Sequence, residues 1–257
     1  MLKLIMCEFV KLKRKKLFQA AFLTTLIMPL FYSLLLSSAD LDDMMSVVRE
    51  ENGFLILIPL SVVIAANLFF EEFDYDTLKN LLCVPIKKSH LAVAKLLVLL
   101  LFMVGYQITG YWITIIMAVT SGKALDGWGL QFLLTFGSAV LLWCASLPCI
   151  LLVVWLNKSY IISVIIAFAY MVLGYITHFS DTFVMVPLGI NIATLLPVPM
   201  IFRWLYQFHT VRGGETAAFY ERFRPYFVPT HIVFAVLLAE AVVCMALMVK
   251  IYRKQSV

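Results

Sequence analysis

The sequence predicts an all-α polytopic membrane protein with six transmembrane helices. Of its 257 residues, 63% are apolar and 14% are charged, whereas soluble domains have about 45–50% apolar and about 25% charged residues. A globule of this length could not bury so much apolar surface. The apolar residues also form solid runs of about 20 residues, which is the length at which an α-helix crosses a bilayer. Membrane β-strands show short alternating patterns instead, so the runs are predicted to be helices.

Residues 1–16 predict an amphipathic helix that lies along the membrane surface. Apolar residues recur there at helical spacing among a cluster of basic ones; they are Leu2, Ile5, Met6, Phe9 and Leu12. Such a helix turns its apolar stripe toward lipid and its lysines toward anionic head groups. The alternative is a basic tail without regular structure, whose only role is to set the orientation of the chain in the membrane. The regular stripe favours the interfacial helix.

Six apolar blocks are each predicted to form one transmembrane helix. Their bounds are about 17–36, 53–70, 91–120, 128–156, 160–177 and 231–251. Short polar loops are predicted at residues 37–52 and 121–127. Pro29 and Pro148 fall inside the first and fourth blocks, where neighbouring helices can satisfy the carbonyl that a proline leaves without a partner.

Residues 178–230, between the fifth and sixth blocks, are the least regular part of the chain. Breakers divide their apolar stretch into pieces too short to cross a bilayer; these are Pro187, Gly189, Pro197 and Pro199. We therefore predict short re-entrant or interfacial helices here. Most of the 20 lysines and arginines then fall on the side of both termini, which predicts that the termini are cytoplasmic. Residues 1–257 are interpreted as one membrane domain.

The hydrophilic loop at residues 71–90 changes from acidic to basic along its length, and its leucines fall on one side of a short predicted helix. Asp76 and Thr77 can cap that helix, because their side-chain oxygens accept from free backbone N–H groups, and Pro85 ends it. A capped helix in a cytoplasmic loop suits the docking of a soluble partner. Packing on the membrane surface is the alternative, and spacing alone does not decide between them.

Within this loop a glutamate is followed by a threonine, paired leucines, a proline and a lysine. These are Glu72, Thr77, Leu81, Leu82, Pro85 and Lys87 or Lys88. Their order resembles the signature of type 2 ABC exporter permeases, with Asp76 where glycine is commoner. The basic N-terminus, the span with Pro29, the size and the broken segment before the last helix are also similar. The resemblance therefore covers essentially the whole chain.

The resemblance implies a permease subunit that dimerises with a second copy or a paralogue and is driven by cytoplasmic ABC ATPase subunits. Residues 71–90 would contact the ATPase, through Glu71, Glu72, Asp76, Thr77, Leu78, Lys79, Leu81, Leu82 and Pro85. Within the family the chain is most similar to bacitracin-resistance and lantibiotic-immunity permeases of the bacterial plasma membrane. These permeases expel peptide antibiotics or their lipid-linked complexes.

The chain is not expected to catalyse a reaction itself. It contains no G-x-x-x-x-G-K-[ST] phosphate-binding loop, so ATP and Mg²⁺ are expected on the partner ATPase. No catalytic residue, bound cofactor, metal site or nucleic-acid partner is expected in the chain, whereas membrane lipids are expected partners.

Four ionisable residues are candidate substrate contacts. Glu240 falls near the middle of the sixth block, where a charged side chain is costly and a functional role is the default hypothesis. A protonated carboxyl bonded to a neighbouring helix is the alternative. Arg203, Arg222 and Arg224 could bind anionic head groups or a pyrophosphate through paired hydrogen bonds. The aromatic residues around them are typical of the membrane–water interface.

Other functions are compatible with a helical membrane protein of this size. Glu71 and Glu72 superficially resemble the paired glutamates of intramembrane prenyl-protein peptidases. Tyr75 stands where that family has an arginine, and the histidines fall outside the predicted spans. An ion-coupled secondary transporter usually has internal repeats, and the two halves of this chain show none. A receptor or scaffold without transport activity is a third alternative.

Overall fold

The computed structural model describes residues 1–35, 40–74, 88–156, 159–189, 191–209 and 215–254, in which the regular structure is helical and no β-strand occurs. Six helices are long and apolar enough to cross a membrane. The predicted all-α polytopic class with six spans is therefore confirmed.

The chain begins with α1 (Leu2–Lys13), which precedes the six spans. The spans are α2 (Lys16–Leu35), α3 (Leu41–Phe70), α4 (Lys88–Thr120), α5 (Trp128–Leu156), α6 (Tyr160–His178) and α11 (Thr230–Arg253). Short helices lie between the fifth and sixth spans, as predicted; they are α7 (Asp181–Val184), α8 (Ile192–Leu195), α9 (Pro197–Leu205) and α10 (Glu215–Phe223). Most of α3, α4 and α5 is buried, whereas α2, α6 and α11 expose apolar faces. The second, third and fourth spans therefore form most of the core, and one side of α11 and helix α9 complete it.

The second span is longer than predicted. The prediction of a polar loop at residues 37–52 is wrong from residue 41 onward, because Leu41–Glu51 is helical. This helix continues through a π-helical turn, Asn52–Leu57, into the helix Ile58–Asp74. Such turns insert one extra residue per turn and are frequent at functional sites.

Polar partners on other spans explain why this stretch joins the bundle. Arg49 is 3% exposed, and its Nη1 donates to Gln131 Oε1 of α5 at 2.7 Å. The side chain of Gln131 in turn donates to Asp42. Gln107 of α4 donates through Nε2 to the Arg49 carbonyl at 3.3 Å. Interhelical hydrogen bonds of this kind let polar residues lie within a membrane bundle, and a hydropathy pattern contains no sign of them.

Neighbouring spans supply hydrogen bonds near the two prolines. Pro29 has no N–H, so the carbonyl of Thr25 lacks its usual helical partner, and Asn52 Nδ2 lies 3.5 Å from it. Helix α5 continues past Pro148, and the Tyr170 hydroxyl of α6 donates to the Ala145 carbonyl in the preceding turn at 2.6 Å. Both prolines are thus accommodated inside helices.

Helix α1 forms over part of the predicted interfacial segment, but its apolar residues do not all face the same way. Some pack on the helix bundle and others are exposed. Leu12 belongs to the core, and Ile5 and Phe9 pack against it. Leu2 and Met6 are exposed. The helix therefore packs on the bundle and keeps an exposed apolar edge; its location at the membrane surface stays a prediction.

Candidate functional site

Most residues predicted to contact an ATPase lie outside the described residues; these are Asp76, Thr77, Leu78, Lys79, Leu81, Leu82 and Pro85. Glu71 and Glu72 belong to the last turns of the helix Ile58–Asp74. The next described helix is α4, which begins at Lys88. The structure therefore defines the two helices that flank the loop, and the contacts between them form the first candidate site.

A buried lysine joins these two helices. Lys95, near the start of α4, is 2% exposed, and its Nζ donates to the Leu68 carbonyl of α3 at 2.6 Å. The same ammonium lies 3.1 Å from Glu8 Oε2 of α1 and 5.9 Å from the centroid of the Phe69 ring. One side chain thus connects α1 with both helices that lead into the loop.

Glu8 carries a negative charge inside this contact. Lys11 Nζ lies 2.6 Å from Glu8 Oε1, so two ammonium groups share the carboxylate. Burial raises the pKa of Glu8, but Lys95 and Lys11 outweigh burial and hold that pKa below its usual value. Removing one partner of an enclosed ion pair leaves an uncompensated buried charge, which costs far more than breaking an exposed pair. We call Glu8, Lys11 and Lys95 the Lys95 contact.

A second polar cluster lies at the other end of α3. Glu50 is about 27 Å along the helix from Leu68, at a rise of about 1.5 Å per residue. Glu50 Oε1 lies 2.7 Å from Nε2 of His209, which follows α9. The adjacent Glu51 accepts through Oε1 from the Tyr175 hydroxyl of α6 at 2.9 Å. These contacts join α3 to α6 and to the segment between the last two spans.

Aromatic rings form a continuous row beside these two carboxylates, with neighbouring centroids 3.9–6.0 Å apart. In order, the rings are Tyr175, His178, Phe202, Tyr206, His209 and Tyr220. Burial raises the pKa of Tyr206 and Tyr220, and the negative charge of Glu50 raises it further. The negative charge of Glu50 is therefore close enough to disfavour ionisation of both the Tyr206 and the Tyr220 hydroxyl. We call Glu50, Glu51 and this row of rings the Glu50 site.

The Glu50 site was missed by reasoning from sequence. Its carboxylates fall in a stretch predicted to be a loop, and its rings come from α6 and from residues 202–220. The only feature of the sequence that could have indicated the site is that Glu50 and Glu51 are adjacent and come just before an apolar block. Because the aromatic residues are typical of the membrane interface in general, the sequence contains no indication that they meet those acids.

The predicted substrate contacts lie apart from one another. Arg203 is fully buried, with Nε donating to the Tyr226 carbonyl at 2.8 Å and Nη2 to the Val186 carbonyl at 2.7 Å. Burial lowers the pKa of Arg203 from its usual value. Its two bonds connect the beginning of the segment between the last two spans with its end.

The other three candidates lie in different surroundings. Arg222 pairs with Asp181 at 3.0 Å on the exposed surface, and Arg224 is exposed in the turn after α10. Glu240 lies within α11, and its buried Oε1 has no hydrogen-bond partner among the described residues. The structure does not bring these residues together, and their contact with substrate stays a prediction.

Comparison with known proteins places the chain in a family. The model of the ABC-2 family transporter proteins matches residues 4–174. The match begins in α1, includes Lys95 and Glu50, and ends in α6, so it contains the Lys95 contact and the two carboxylates of the Glu50 site. No curated protein sequence matches the chain at a significant level. Because the family match covers well over half of the 257 residues, this chain belongs to the ABC-2 family of transporter proteins.

Proposed function

We propose that this chain is the transmembrane subunit of an ATP-driven exporter that removes a peptide antibiotic of the bacitracin or lantibiotic type, or its lipid-linked complex, from the membrane. Family membership makes the chain a membrane subunit of a transporter and implies partnership with an ABC ATPase. The proposal adds the direction of transport, the substrate, and a dimer with a second copy or a paralogue. It also places both termini in the cytoplasm of a bacterial cell and gives membrane lipids as partners.

The Lys95 contact is the observation that carries this proposal. Force from an ATPase would reach the permease through the loop between α3 and α4. The ammonium of Lys95 bonds α3, α4 and α1 where that loop begins and ends. A displacement of the loop would therefore move three helices as one unit, which is what a coupled transporter requires.

The substrate and the direction of transport rest on the sequence resemblance to bacitracin-resistance and lantibiotic-immunity permeases. A test is to express the chain, together with the ATPase that purifies with it, in a susceptible bacterium. We expect the inhibitory concentration of bacitracin or of a lantibiotic to rise. An ATPase variant unable to hydrolyse ATP should abolish the increase, and unchanged inhibitory concentrations for both antibiotic classes would rule out the proposed substrate.

The ATPase contact is tested by purification from the native host. We expect an ATPase subunit at a fixed ratio, and we expect permease-stimulated ATP hydrolysis to be lost in Leu81→Asp. Leu125→Asp is the matched control, because Leu125 is an exposed leucine in the turn between α4 and α5. Purification of the permease alone, with resistance independent of any ATPase, would contradict the proposal.

A further inference from the structure

We propose that the membrane bundle binds ordered water in its interior, at the start of the π-helical turn of α3. Arg49 and Asn52 would hold the water beside Gly110 of α4, and we call these three residues the Asn52 site. The inference does not depend on the substrate or the direction of transport. It is supported by two buried atoms without partners, by their opposite hydrogen-bonding character and by the room beside them.

Two polar side chains at this point of α3 are enclosed but incompletely bonded. Arg49 is 3% exposed and Asn52 is 1% exposed. Arg49 Nε and Asn52 Oδ1 are both buried, and neither has a hydrogen-bond partner among the described residues. The two residues are three positions apart in a continuous helix, so their side chains lie on the same face. Buried polar groups are nearly always bonded, because leaving one unpaired is costly.

The bonds that these side chains do form fix their orientation. Arg49 uses Nη1 to donate to Gln131 Oε1 at 2.7 Å. Asn52 Nδ2 lies 3.5 Å from the Thr25 carbonyl of α2. A carbonyl only accepts, so the nitrogen of the amide, and not its oxygen, must lie on that side. Turning the amide over would place two acceptors against each other. Oδ1 therefore needs a donor from elsewhere.

The chemistry of the two atoms selects water over an ion. The Nε–H group of Arg49 only donates, and Oδ1 of Asn52 only accepts. A cation could not bond to the first and an anion could not bond to the second, whereas water both donates and accepts. The charge of Arg49 does not require a bound anion either, because Gln131, which accepts from Arg49, donates in turn to Asp42. Buried waters typically bond to polar groups that the protein leaves unpaired.

The packing beside Asn52 leaves room for a small molecule. Gly110 is buried, and beyond its own helix backbone a Cβ there would meet one heavy atom within 4 Å, Asn52 Nδ2 at 3.4 Å. At Gly53, the next residue of α3, a Cβ would lie 2.7 Å from Leu142 and 2.8 Å from Gln107. The bundle is therefore closed at Gly53 but can take a group of about methyl size at Gly110, which is close to the size of a water molecule.

Solid-state NMR of the full chain in liposomes tests the proposal, with arginine and tryptophan labelled with ¹⁵N. The measurement is the rate at which magnetisation passes from water to the Arg49 Nε–H group. Trp143 is the matched control, because it is 4% exposed and its Nε1 donates to the Leu96 carbonyl at 3.1 Å. Arg49→Lys and Trp143→Phe assign the two signals.

We expect transfer to Arg49 Nε–H to be about fivefold faster than transfer to Trp143 Nε1–H, because a bound water lies in direct contact with the former. Equal rates would overturn the proposal, since they would show that Arg49 Nε has no water neighbour and that a small side-chain shift bonds it directly to Asn52. This comparison uses the unaltered protein, so it stands whether or not any variant folds.

The position of the water is tested by filling the space with a methyl group. In Gly110→Ala, transfer to Arg49 Nε–H should fall to the rate of Trp143. Gly105→Ala on the same helix is the control, because its Cβ would meet only Phe22 Cζ at 3.6 Å, and it should leave the rate unchanged. Fast transfer in Gly110→Ala, or an equal decrease in both variants, would refute a water held beside Gly110. The measurements need neither ATP nor an ATPase, so their failure is separate from failure of the exporter proposal.

Discussion

The ammonium of Lys95 is enclosed among a carboxylate, a backbone carbonyl and an aromatic ring, with 2% of the side chain exposed. The substitution Lys95→Met should lower the free energy of unfolding by about 3–5 kcal/mol, because it leaves Glu8 buried beside a single ammonium. Arg222→Met is the control. It breaks an exposed pair with Asp181, which is worth at most about 1 kcal/mol. Chemical denaturation in detergent measures the free energy of unfolding of both variants. Equal decreases would contradict the conclusion that the Lys95 pair is enclosed.

The pKa of Glu8 gives this contact a pH dependence of defined sign. Its folded-state pKa lies below the ordinary value of 4.5. As pH falls, the unfolded chain therefore takes up the proton before the folded chain does. The stabilisation is complete above about pH 4.5 and is lost as pH falls through the folded pKa. Glu8→Gln should flatten the stability curve in that window, as measured by thermal melts. An unchanged curve would show that Glu8 does not contribute.

At the scale of elements, α3 packs closely on α4 and α5 at its π-helical turn. A Cβ at Gly53 would lie 2.7 Å from Leu142 Cδ1 and 2.8 Å from Gln107 Nε2. Gly53→Ala should therefore destabilise the protein by about 1–3 kcal/mol through overpacking. Gly129→Ala, where a Cβ would meet nothing within 4 Å, should not destabilise it. Thermal unfolding of the two variants makes the comparison, and equal midpoints would argue against close packing.

The elements also show how far the sequence could predict the structure. The six apolar blocks and the breakers in residues 178–230 were sufficient for six spans and a set of short helices. The first half of α3 was not predictable, because Arg49 is buried only where Gln131 and Gln107 approach from other spans. The Glu50 site was not predictable for the same reason. Its acids and rings are far apart in the chain, and only the packing of α6 and α9 on α3 brings them together.

At the scale of the whole molecule, α3 extends from one candidate site to the other. The Lys95 contact lies beside the loop between α3 and α4, and the Glu50 site lies about 27 Å along α3 at the other end. One helix therefore contacts both sites and is a direct physical connection between them. We propose that displacement of α3 at the Lys95 contact would shift Glu50 relative to His209, which follows α9; helix α9 packs on α6 and α11.

This arrangement predicts that coupling can be lost without loss of stability. The double variant Glu8→Leu/Lys95→Met removes both charges, and replacing a buried pair with apolar residues is often neutral or stabilising. We expect a folded permease that still purifies with its ATPase. Its ATP-dependent resistance should fall several-fold, because α1 is no longer bonded to α3 and α4. The control pair Asp181→Asn/Arg222→Met, at the exposed surface, should keep full resistance. Full resistance in the Glu8/Lys95 variant at equal expression would show that the Lys95 contact does not transmit force.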